Sequence, residues 1–226
     1  FRPAETYPAG ELAELRASLG IPADRRLIVY LGLLAEHQGT SHLLRAMQLL
    51  VQRRTDVHLL LMGFPGEAVY HRQAHELGVG NFVTFTGRIP YPEAPKYLAL
   101  GDIAVAPKLS ATEGAGKLLN YMAVGLPTVA FDTPVAREYL GLDGILARRG
   151  DVASLAEELA SCLYPEESRR PVNEMKRQLR QRASRLFGWD LAGRQIESAF
   201  DILVSKRRAD RGVSNRDIAH KTSYSG

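Results

Sequence analysis

The segment EGAGKLLN, over residues 113–120, combines residue types that can bind an anionic group. Gly114 and Gly116 let a ligand approach the backbone closely, and Lys117 adds a full positive charge. The first N–H groups of a helix have no partner within that helix, and the helix dipole adds partial positive charge there. If a helix begins near Gly116, this segment could hold a phosphate or a diphosphate.

The spacing of this segment does not match a Walker P-loop. Leu118 follows Gly116-Lys117 where that motif requires Ser or Thr, and Ala111 stands where its first glycine would be. A flexible loop with a solvated lysine therefore stays open as the alternative to an anion site.

A second loop, GLLAEHQGT over residues 32–40, follows the first apolar run of the chain. Gly32 and Gly39 bracket the loop, and His37 and Gln38 could donate hydrogen bonds to a phosphate or a sugar hydroxyl. The loop lacks the G-x-G-x-x-G spacing, which argues against a dinucleotide site. For His37, an ordinary surface position is the alternative.

A third loop, TGRIPY over residues 86–91, follows the third apolar run. A tight turn at its glycine could present Arg88 and the backbone around Ile89 to a flat base. Taken alone, this pattern is too short to identify a ligand.

Short apolar runs alternate with amphipathic segments along most of the chain. The predicted strands cover residues 26–32, 57–63, 81–87, 102–107, 127–131 and 144–148. The predicted helices cover residues 10–19, 40–54, 66–78, 92–101, 116–124, 134–141 and 151–164. This alternation predicts an α/β fold, a doubly wound Rossmann-like parallel sheet with helices on both faces. Ligands bind such sheets beyond the carboxyl ends of the strands, which is where all three loops fall.

The last part of the chain departs from this alternation. Residues 171–204 predict extra helices, which we expect to pack on the outside of the sheet domain over residues 1–204. From Lys206 onward, six Lys or Arg residues stand against two Asp residues, which accounts for the whole formal net charge of +4. A basic, Ser-containing segment without hydrophobic periodicity predicts a disordered tail over residues 205–226.

The composition excludes several classes of protein. The 226 residues suffice for one or two domains, and the single cysteine, Cys162, excludes a disulfide framework and a cysteine zinc site. The sequence has no run of about 18 apolar residues and no signal peptide. It has neither an Asp-x-Asp motif nor histidines at metal-ligand spacing. We therefore expect a cytoplasmic protein that binds no metal.

Several stretches, taken together and in this order, resemble the C-terminal, donor-binding domain of a GT-B glycosyltransferase of family 4, a large retaining family. They are VYLGLLAEHQG, LLLMG, FVTFTGRIPYPEAPKYLALGDIAVAP, EGAGKLLNYMAVGLPTVAFDTP and FGWD, within residues 1–204. The resemblance implies one half of a GT-B fold, with Phe1-Arg2-Pro3 as the interdomain linker. It implies retaining transfer of a glycosyl group from a nucleotide sugar to a hydroxyl acceptor. It also implies that the N-terminal acceptor domain is absent from this chain. We therefore expect the chain by itself to be inactive.

The resemblance implies roles for individual residues of the glycine-rich segment. In the family, Glu113 matches the first glutamate of an E-x7-E motif, although the spacing here is one residue short, and it lies near the donor sugar. Lys117 and Glu113 are the predicted catalytic residues. The backbone N–H groups that would bind the donor diphosphate belong to the positions matching Gly114, Ala115, Gly116 and Leu118.

The same resemblance extends to the other loops and shows departures from the family pattern. Asn120 stands where a glutamate bonds the ribose hydroxyls, so an uncharged amide would make a weaker contact. The backbone around Arg88 and Ile89 corresponds to the turn that contacts the base. Leu33 and Gln38 replace an arginine and a lysine that neutralise the diphosphate. Cations that could compensate for these two replacements are Lys117, His37 and Lys108.

These observations define the expected partners and the alternatives. We expect a nucleotide-sugar donor as substrate, no cofactor, no nucleic-acid partner, and a glycan or lipid-linked acceptor bound through the missing domain. The basic tail offers a peripheral contact with anionic lipid at the inner face of the membrane. A non-catalytic nucleotide-binding module, favoured by Leu33, Gln38 and Asn120, is one alternative. A GT-B epimerase or phosphorylase is another, and a Rossmann oxidoreductase is disfavoured because no G-x-G-x-x-G follows a strand.

Overall fold

A six-stranded parallel sheet forms the centre of the compact unit Phe1–Ser184. The computed structural model describes residues 1–8, 10–168 and 171–221, and it describes their side chains except those of residues 167, 168 and 208–221. The strands are β1 Arg26–Leu31, β2 Val57–Met62, β3 Val83–Gly87, β4 Ile103–Ala106, β5 Thr128–Phe131 and β6 Ile145–Ala147. Their order in the sheet is β3-β2-β1-β4-β5-β6, and every pair is parallel. This arrangement confirms the predicted doubly wound, Rossmann-like fold.

The chain has ten described α-helices; those before the last connect or flank the strands and cover both faces of the sheet, and the last belongs to a second compact unit. The helices are α1 Glu11–Ser18, α2 Thr40–Val51, α3 Glu67–Glu76, α4 Ala94–Leu98, α5 Gly116–Val124, α6 Pro134–Leu140, α7 Val152–Leu163, α8 Pro165–Ser168, α9 Val172–Phe187 and α10 Trp189–Lys221. In β1, Ile28 and Tyr30 join a core that includes residues of α2, α3 and α7. Leu27 and Val29 alternate with them and are equally buried. Because side chains alternate across a strand, the second pair faces the opposite layer of helices.

Most predicted elements are present, with shorter ends. The predicted third strand begins at Val83 instead of residue 81, because Gly80–Phe82 forms a 3-10 turn. The Phe82 ring lies 4.5 Å from the Arg25 guanidinium carbon instead of in the sheet. The predicted helix at 92–101 is reduced to Ala94–Leu98, preceded by a 3-10 turn.

The end of the chain differs from the prediction. Phe1–Ser184 and the described residues from Arg185 onward form two separate compact units. Within the second unit, α10 is helical through Lys221, where the sequence predicted a disordered tail beginning at residue 205. The helix continues because this stretch contains no proline and is rich in Arg, Lys and Ala, which favour helix. The predicted tail residues 222–226 lie outside the described residues.

Helix α9 is tied to the C-terminal ends of two neighbouring helices. Arg180 donates to the carbonyl of Ala123, near the end of α5, over 2.6 Å. Arg182 donates to the carbonyls of Tyr139 and Glu138 at the end of α6, over 2.7 and 2.8 Å. The last carbonyls of a helix have no partner within it and carry partial negative charge, so these guanidinium groups stabilise both ends. The bond from Arg180 holds the C-terminal end of α5, whose first residue, Gly116, belongs to the glycine-rich segment.

Within the described residues, no helix is both long enough and apolar enough to cross a bilayer.

Candidate functional site

Two of the three predicted loops meet where the strand order reverses. The order changes direction between β1 and β4, so the loops that follow these strands flank a crevice at the carboxyl edge of the sheet. The N–H of Leu109, after β4, donates to the carbonyl of His37 over 3.0 Å. A Cβ atom on Gly39 would lie only 1.8 Å from the carbonyl oxygen of Pro107. Only glycine permits this approach, so the two loops form one structure.

A cavity of about 390 Å³ opens at the carboxyl ends of β1, β2 and β3. Its walls are contributed by Leu33, Phe64 and Ile89, with Tyr91 and Arg88 at the third loop. The Arg88 guanidinium carbon lies 4.9 Å from the centre of the Phe64 ring. These mainly apolar, flat surfaces suit a planar ligand.

Asn120 connects this cavity to helix α5. The Tyr91 hydroxyl donates to the side-chain oxygen of Asn120 over 3.2 Å. The two residues come from separate parts of the chain, the turn after β3 and the second turn of α5. Asn120 therefore lies beside the cavity, at a position where its amide can reach a ligand that extends from the cavity toward α5.

The side chain of Lys117 crosses from α5 to the end of β1. Its amine donates to the Tyr30 hydroxyl and to the Gln38 side-chain oxygen, each over 3.0 Å. It lies 4.3 Å from the centre of the Tyr30 ring. A Cβ atom on Gly32 would lie 2.6 Å from the amine, so glycine at this position leaves room for the charge. Gln38 stands where the family resemblance implied a positively charged residue. Its side-chain oxygen instead accepts a hydrogen bond from Lys117, which α5 supplies.

Burial changes the acidity of this cluster. Desolvation, and secondarily the charge of Lys108, lowers the pKa of Lys117 to about 7. Burial raises the pKa of Tyr30, whose hydroxyl donates to the carbonyl of Leu33 over 2.6 Å. Tyr30 therefore stays neutral, and its oxygen accepts from the amine. No carboxylate is bonded to this amine among the described residues, so an added anion would favour its protonated form.

The loop before α5 is held by a second lysine. The amine of Lys108 donates to the carbonyls of Glu113 and Gly114, over 3.2 and 2.9 Å, and pairs with the Glu113 carboxylate at 2.8 Å. The hydrogen bond and charge of Lys108 lower the pKa of the Glu113 carboxyl. Lys108, Glu113 and Lys117 line the same narrow crevice beneath the loop.

Backbone donors are available at the start of α5. Among the described residues, none accepts a hydrogen bond from the N–H groups of Gly114, Ala115 and Gly116. Leu118 differs from the prediction, because its N–H donates to the carbonyl of Ala115 over 2.8 Å and its side chain is buried. The first turn of the helix already uses that donor. The group of backbone donors that could bind a diphosphate, which we call the cradle, therefore consists of the N–H groups of Gly114, Ala115 and Gly116 and is smaller than the sequence indicated.

The structure brings most of the predicted residues to one edge and adds others. His37 is exposed beside this edge, and its carbonyl rather than its ring makes the contact with Leu109. Sequence reasoning did not identify Tyr30 or Tyr91, which bond to Lys117 and Asn120. In the sequence, the feature that could have indicated a role for Tyr30 is its hydroxyl, a polar group near the end of an apolar predicted strand.

No described residues form a cluster of three or more His, Cys, Asp or Glu side chains that could hold a metal ion. The expectation that the site needs no metal stays a prediction.

Comparison with known proteins supports a common ancestry for this domain. The family model described as "Glycosyl transferases group 1" matches residues 12–181. A GDP-mannose-dependent alpha-(1-6)-phosphatidylinositol monomannoside mannosyltransferase from Mycolicibacterium smegmatis is 34 % identical over 141 residues, which cover 58 % of this chain and 36 % of that protein. The 2-deoxystreptamine glucosyltransferase of Streptomyces kanamyceticus is 27 % identical over 71 % of this chain and 42 % of that enzyme. The chain therefore spans less than half the length of these relatives.

Solved structures share the fold. Anabaena HepE in complex with UDP is 22 % identical with a TM-score of 0.75, covering 86 % of this chain and 53 % of that chain. The C-terminal domain of a group 1 glycosyl transferase family protein from Francisella tularensis is 18 % identical with a TM-score of 0.66, covering 84 % of this chain and all of that one. These likenesses establish the GT-B type of Rossmann-like domain.

Proposed function

The chain belongs to the group 1 glycosyl transferases, and from that premise we propose that it is the donor-binding, C-terminal domain of a family 4 enzyme. The domain would bind a nucleotide sugar across the crevice between β1 and β4. The full enzyme would transfer the glycosyl group to a hydroxyl acceptor with retention. The acceptor, a glycan or a lipid-linked sugar, would be bound by an N-terminal domain outside this chain.

One observation supports this proposal most strongly. At the start of α5, the N–H groups of Gly114, Ala115 and Gly116 have no acceptor, and the amine of Lys117 no bonded carboxylate, within the part of the chain that the structure describes. A helix N-terminus with an adjacent cation suits a diphosphate. The neighbouring cavity, with Arg88 and Phe64 at its wall, suits the attached base. Asn120, which bonds to Tyr91 beside the cavity and belongs to α5, suits the ribose between them. These three parts support binding of a nucleotide in the order base, ribose and diphosphate.

The same groups account for leaving-group stabilisation. When the bond between the sugar and the diphosphate breaks, negative charge grows on the departing diphosphate. Fixed donors and a cation stabilise that charge in the transition state more than in the ground state. Lys117 supplies positive charge that the chain lacks at Leu33 and Gln38. Glu113, which is exposed beside the loop, is proposed to face the donor sugar.

The descriptions of two similar proteins agree with this assignment. The mycobacterial relative is described as GDP-mannose-dependent, and HepE has been solved with UDP-glucose. Both ligands contain a nucleoside diphosphate joined to a hexose. We propose the same class of donor for this chain, without a metal or other cofactor. We place the protein in the cytoplasm, with a peripheral membrane contact through the basic end of the chain and no nucleic-acid partner.

Calorimetric titration of this chain tests the proposal. UDP, GDP and ADP are added separately, followed by the corresponding glucose or mannose donors, with NAD⁺ as the control and with EDTA present throughout. We expect saturable binding of one nucleoside diphosphate and its sugar, and no binding of NAD⁺. Preferential binding of NAD⁺ would support an oxidoreductase domain, and absence of binding by every nucleotide would contradict the proposal.

A non-catalytic binding module is the second candidate, because Asn120 replaces the expected glutamate. Binding alone does not separate it from the transferase. Turnover by the full-length protein does, since only the transferase releases the nucleoside diphosphate from the donor. We expect turnover by the full-length protein and none by this chain.

A further inference from the structure

We propose that Lys108 is a positioning residue that orients the peptide groups before α5 so that their N–H donors face an incoming diphosphate. The inference rests on the proposed nucleotide-sugar site and assigns to Lys108 a role different from charge compensation. Lys108 would shape the cradle without contacting the ligand.

All three hydrogen-bond donors of the Lys108 ammonium group have acceptors in the loop before α5. This ammonium group has three N–H donors, and three acceptors lie within reach: the carbonyls of Glu113 and Gly114 and the carboxylate of Glu113. The side chain is only 10 % exposed, whereas that of Glu113 is 56 % exposed. Lys108 therefore has no donor left for a diphosphate, and its amine is shielded from solvent by the loop that it holds.

These hydrogen bonds also determine the direction in which the neighbouring backbone N–H groups point. A trans peptide group is planar, and its N–H points opposite to its C=O. The carbonyls of Glu113 and Gly114 point toward Lys108, so the N–H groups of the next residues, Gly114 and Ala115, point away from it. Those two N–H groups are among the donors without a partner in the described structure. Gly114 is exposed, so its N–H is open to a ligand arriving from solvent.

Lys117 and Lys108 have different proposed roles because their hydrogen-bond partners differ. Lys117 bonds to the neutral groups of Tyr30 and Gln38, which an anion can supplement. Lys108 bonds to a carboxylate and two carbonyls that belong to the loop itself. Losing Lys117 removes a charge from the ligand site, while losing Lys108 releases the loop that carries the backbone donors.

The test compares Lys108→Met with Lys108→Arg in this chain, with GDP and UDP as the probes. Lys96→Met is the matched control, because Lys96 is also a partly buried lysine paired with one glutamate, Glu11, and lies outside the loop. Affinity is measured by calorimetry and melting temperature by calorimetry or circular dichroism. Backbone amide NMR of Gly114 and Ala115 reports directly on their N–H groups.

We expect Lys108→Met to weaken binding of the accepted nucleotide by about tenfold, the scale of one or two lost hydrogen bonds. The nucleotide-induced shifts of the Gly114 and Ala115 amides should disappear with it. Lys108→Arg, which can still donate to both carbonyls, should restore most of both signals, and Lys96→Met should change neither.

Different failures have different meanings. If the unmodified chain binds no nucleotide, the proposed function fails and this inference fails with it. If the unmodified chain binds a nucleotide and Lys108→Met binds it equally well, the positioning role alone is wrong. The positioning role is also wrong if affinity falls while the two amide shifts persist, because the cradle would then be intact and the loss would reflect charge alone.

Discussion

Replacing Lys117 with methionine is expected to weaken nucleotide-sugar binding by about 10- to 100-fold, because a hydrogen bond to a charged group contributes about 1.5–3 kcal/mol. Methionine keeps the length and apolar stem of the side chain, so packing against Tyr30 and Gly32 is largely retained. Only the amine that faces Tyr30 and Gln38 is lost. Calorimetric titration of both proteins with the accepted donor measures the difference.

The pH dependence of binding provides a second, independent signature of Lys117. Its pKa is lowered to about 7, first by desolvation and then by Lys108, while the neighbouring Tyr30 stays neutral. Above pH 7 the free amine is mostly neutral, and an anion favours its protonated form, so binding takes up a proton. Affinity should fall by up to about tenfold per pH unit above pH 7 and level off below it.

Proton uptake can be measured by titration at pH 8 in buffers that differ in ionisation enthalpy. A nucleotide sugar is the better ligand for this measurement, because its diphosphate is esterified at both ends and has no group that titrates near neutrality. We expect uptake of close to one proton at pH 8, little at pH 6, and none in Lys117→Met. Lys96→Met should behave like the unmodified chain. Uptake that persists in Lys117→Met would show that another group is responsible.

Replacing Gly39 with alanine is expected to destabilise the domain by about 3 kcal/mol or more. The new Cβ would lie 1.8 Å from the carbonyl oxygen of Pro107, and Gly39 has a φ of 78°, in the left-handed region. Strained backbone and overpacking each cost about 1–3 kcal/mol. For a domain of this size, about 3 kcal/mol corresponds to a fall in melting temperature of about 6–12 °C.

Gly78→Ala separates the two contributions. Gly78 has a similar φ of 72°, but nothing lies within 4 Å of an added Cβ. This control should cost only about 1 kcal/mol, the strain of an alanine in the left-handed region. If both substitutions lowered the melting temperature equally, the close approach of the β1 and β4 loops would be absent in solution. The crevice would then lack the geometry on which the site depends.

The order of elements and the sheet could be predicted from the sequence because local signals agree with the tertiary structure. Apolar runs such as VHLLLM are buried at every residue in β2, and each is followed by a turn or helix signal. Helix α5 has the predicted bounds, since Gly116 begins it and Gly125 ends it with a φ of 81°. These are short-range effects of chain stereochemistry and burial.

The contacts of the charged side chains could not be predicted in the same way. Lys117 and Gln38 are far apart in sequence, and only the packing of α5 against the end of β1 brings the amine to that oxygen. The family resemblance implied that a positive charge is missing at Gln38, and the sequence contains Lys117. Neither indicated the hydrogen bond between these two side chains. The internal bond of Leu118 was missed for a related reason, since the first turn of a helix decides which N–H groups stay free.

A crystal structure of this chain soaked or grown with its accepted nucleotide sugar tests the central claim most directly. We expect the diphosphate oxygens within hydrogen-bonding distance of the N–H groups of Gly114–Gly116 and of the Lys117 amine, with the base in the cavity beside Arg88 and Ile89. A nucleotide bound at any other edge of the sheet, or a diphosphate that contacts neither the loop nor Lys117, would contradict the account.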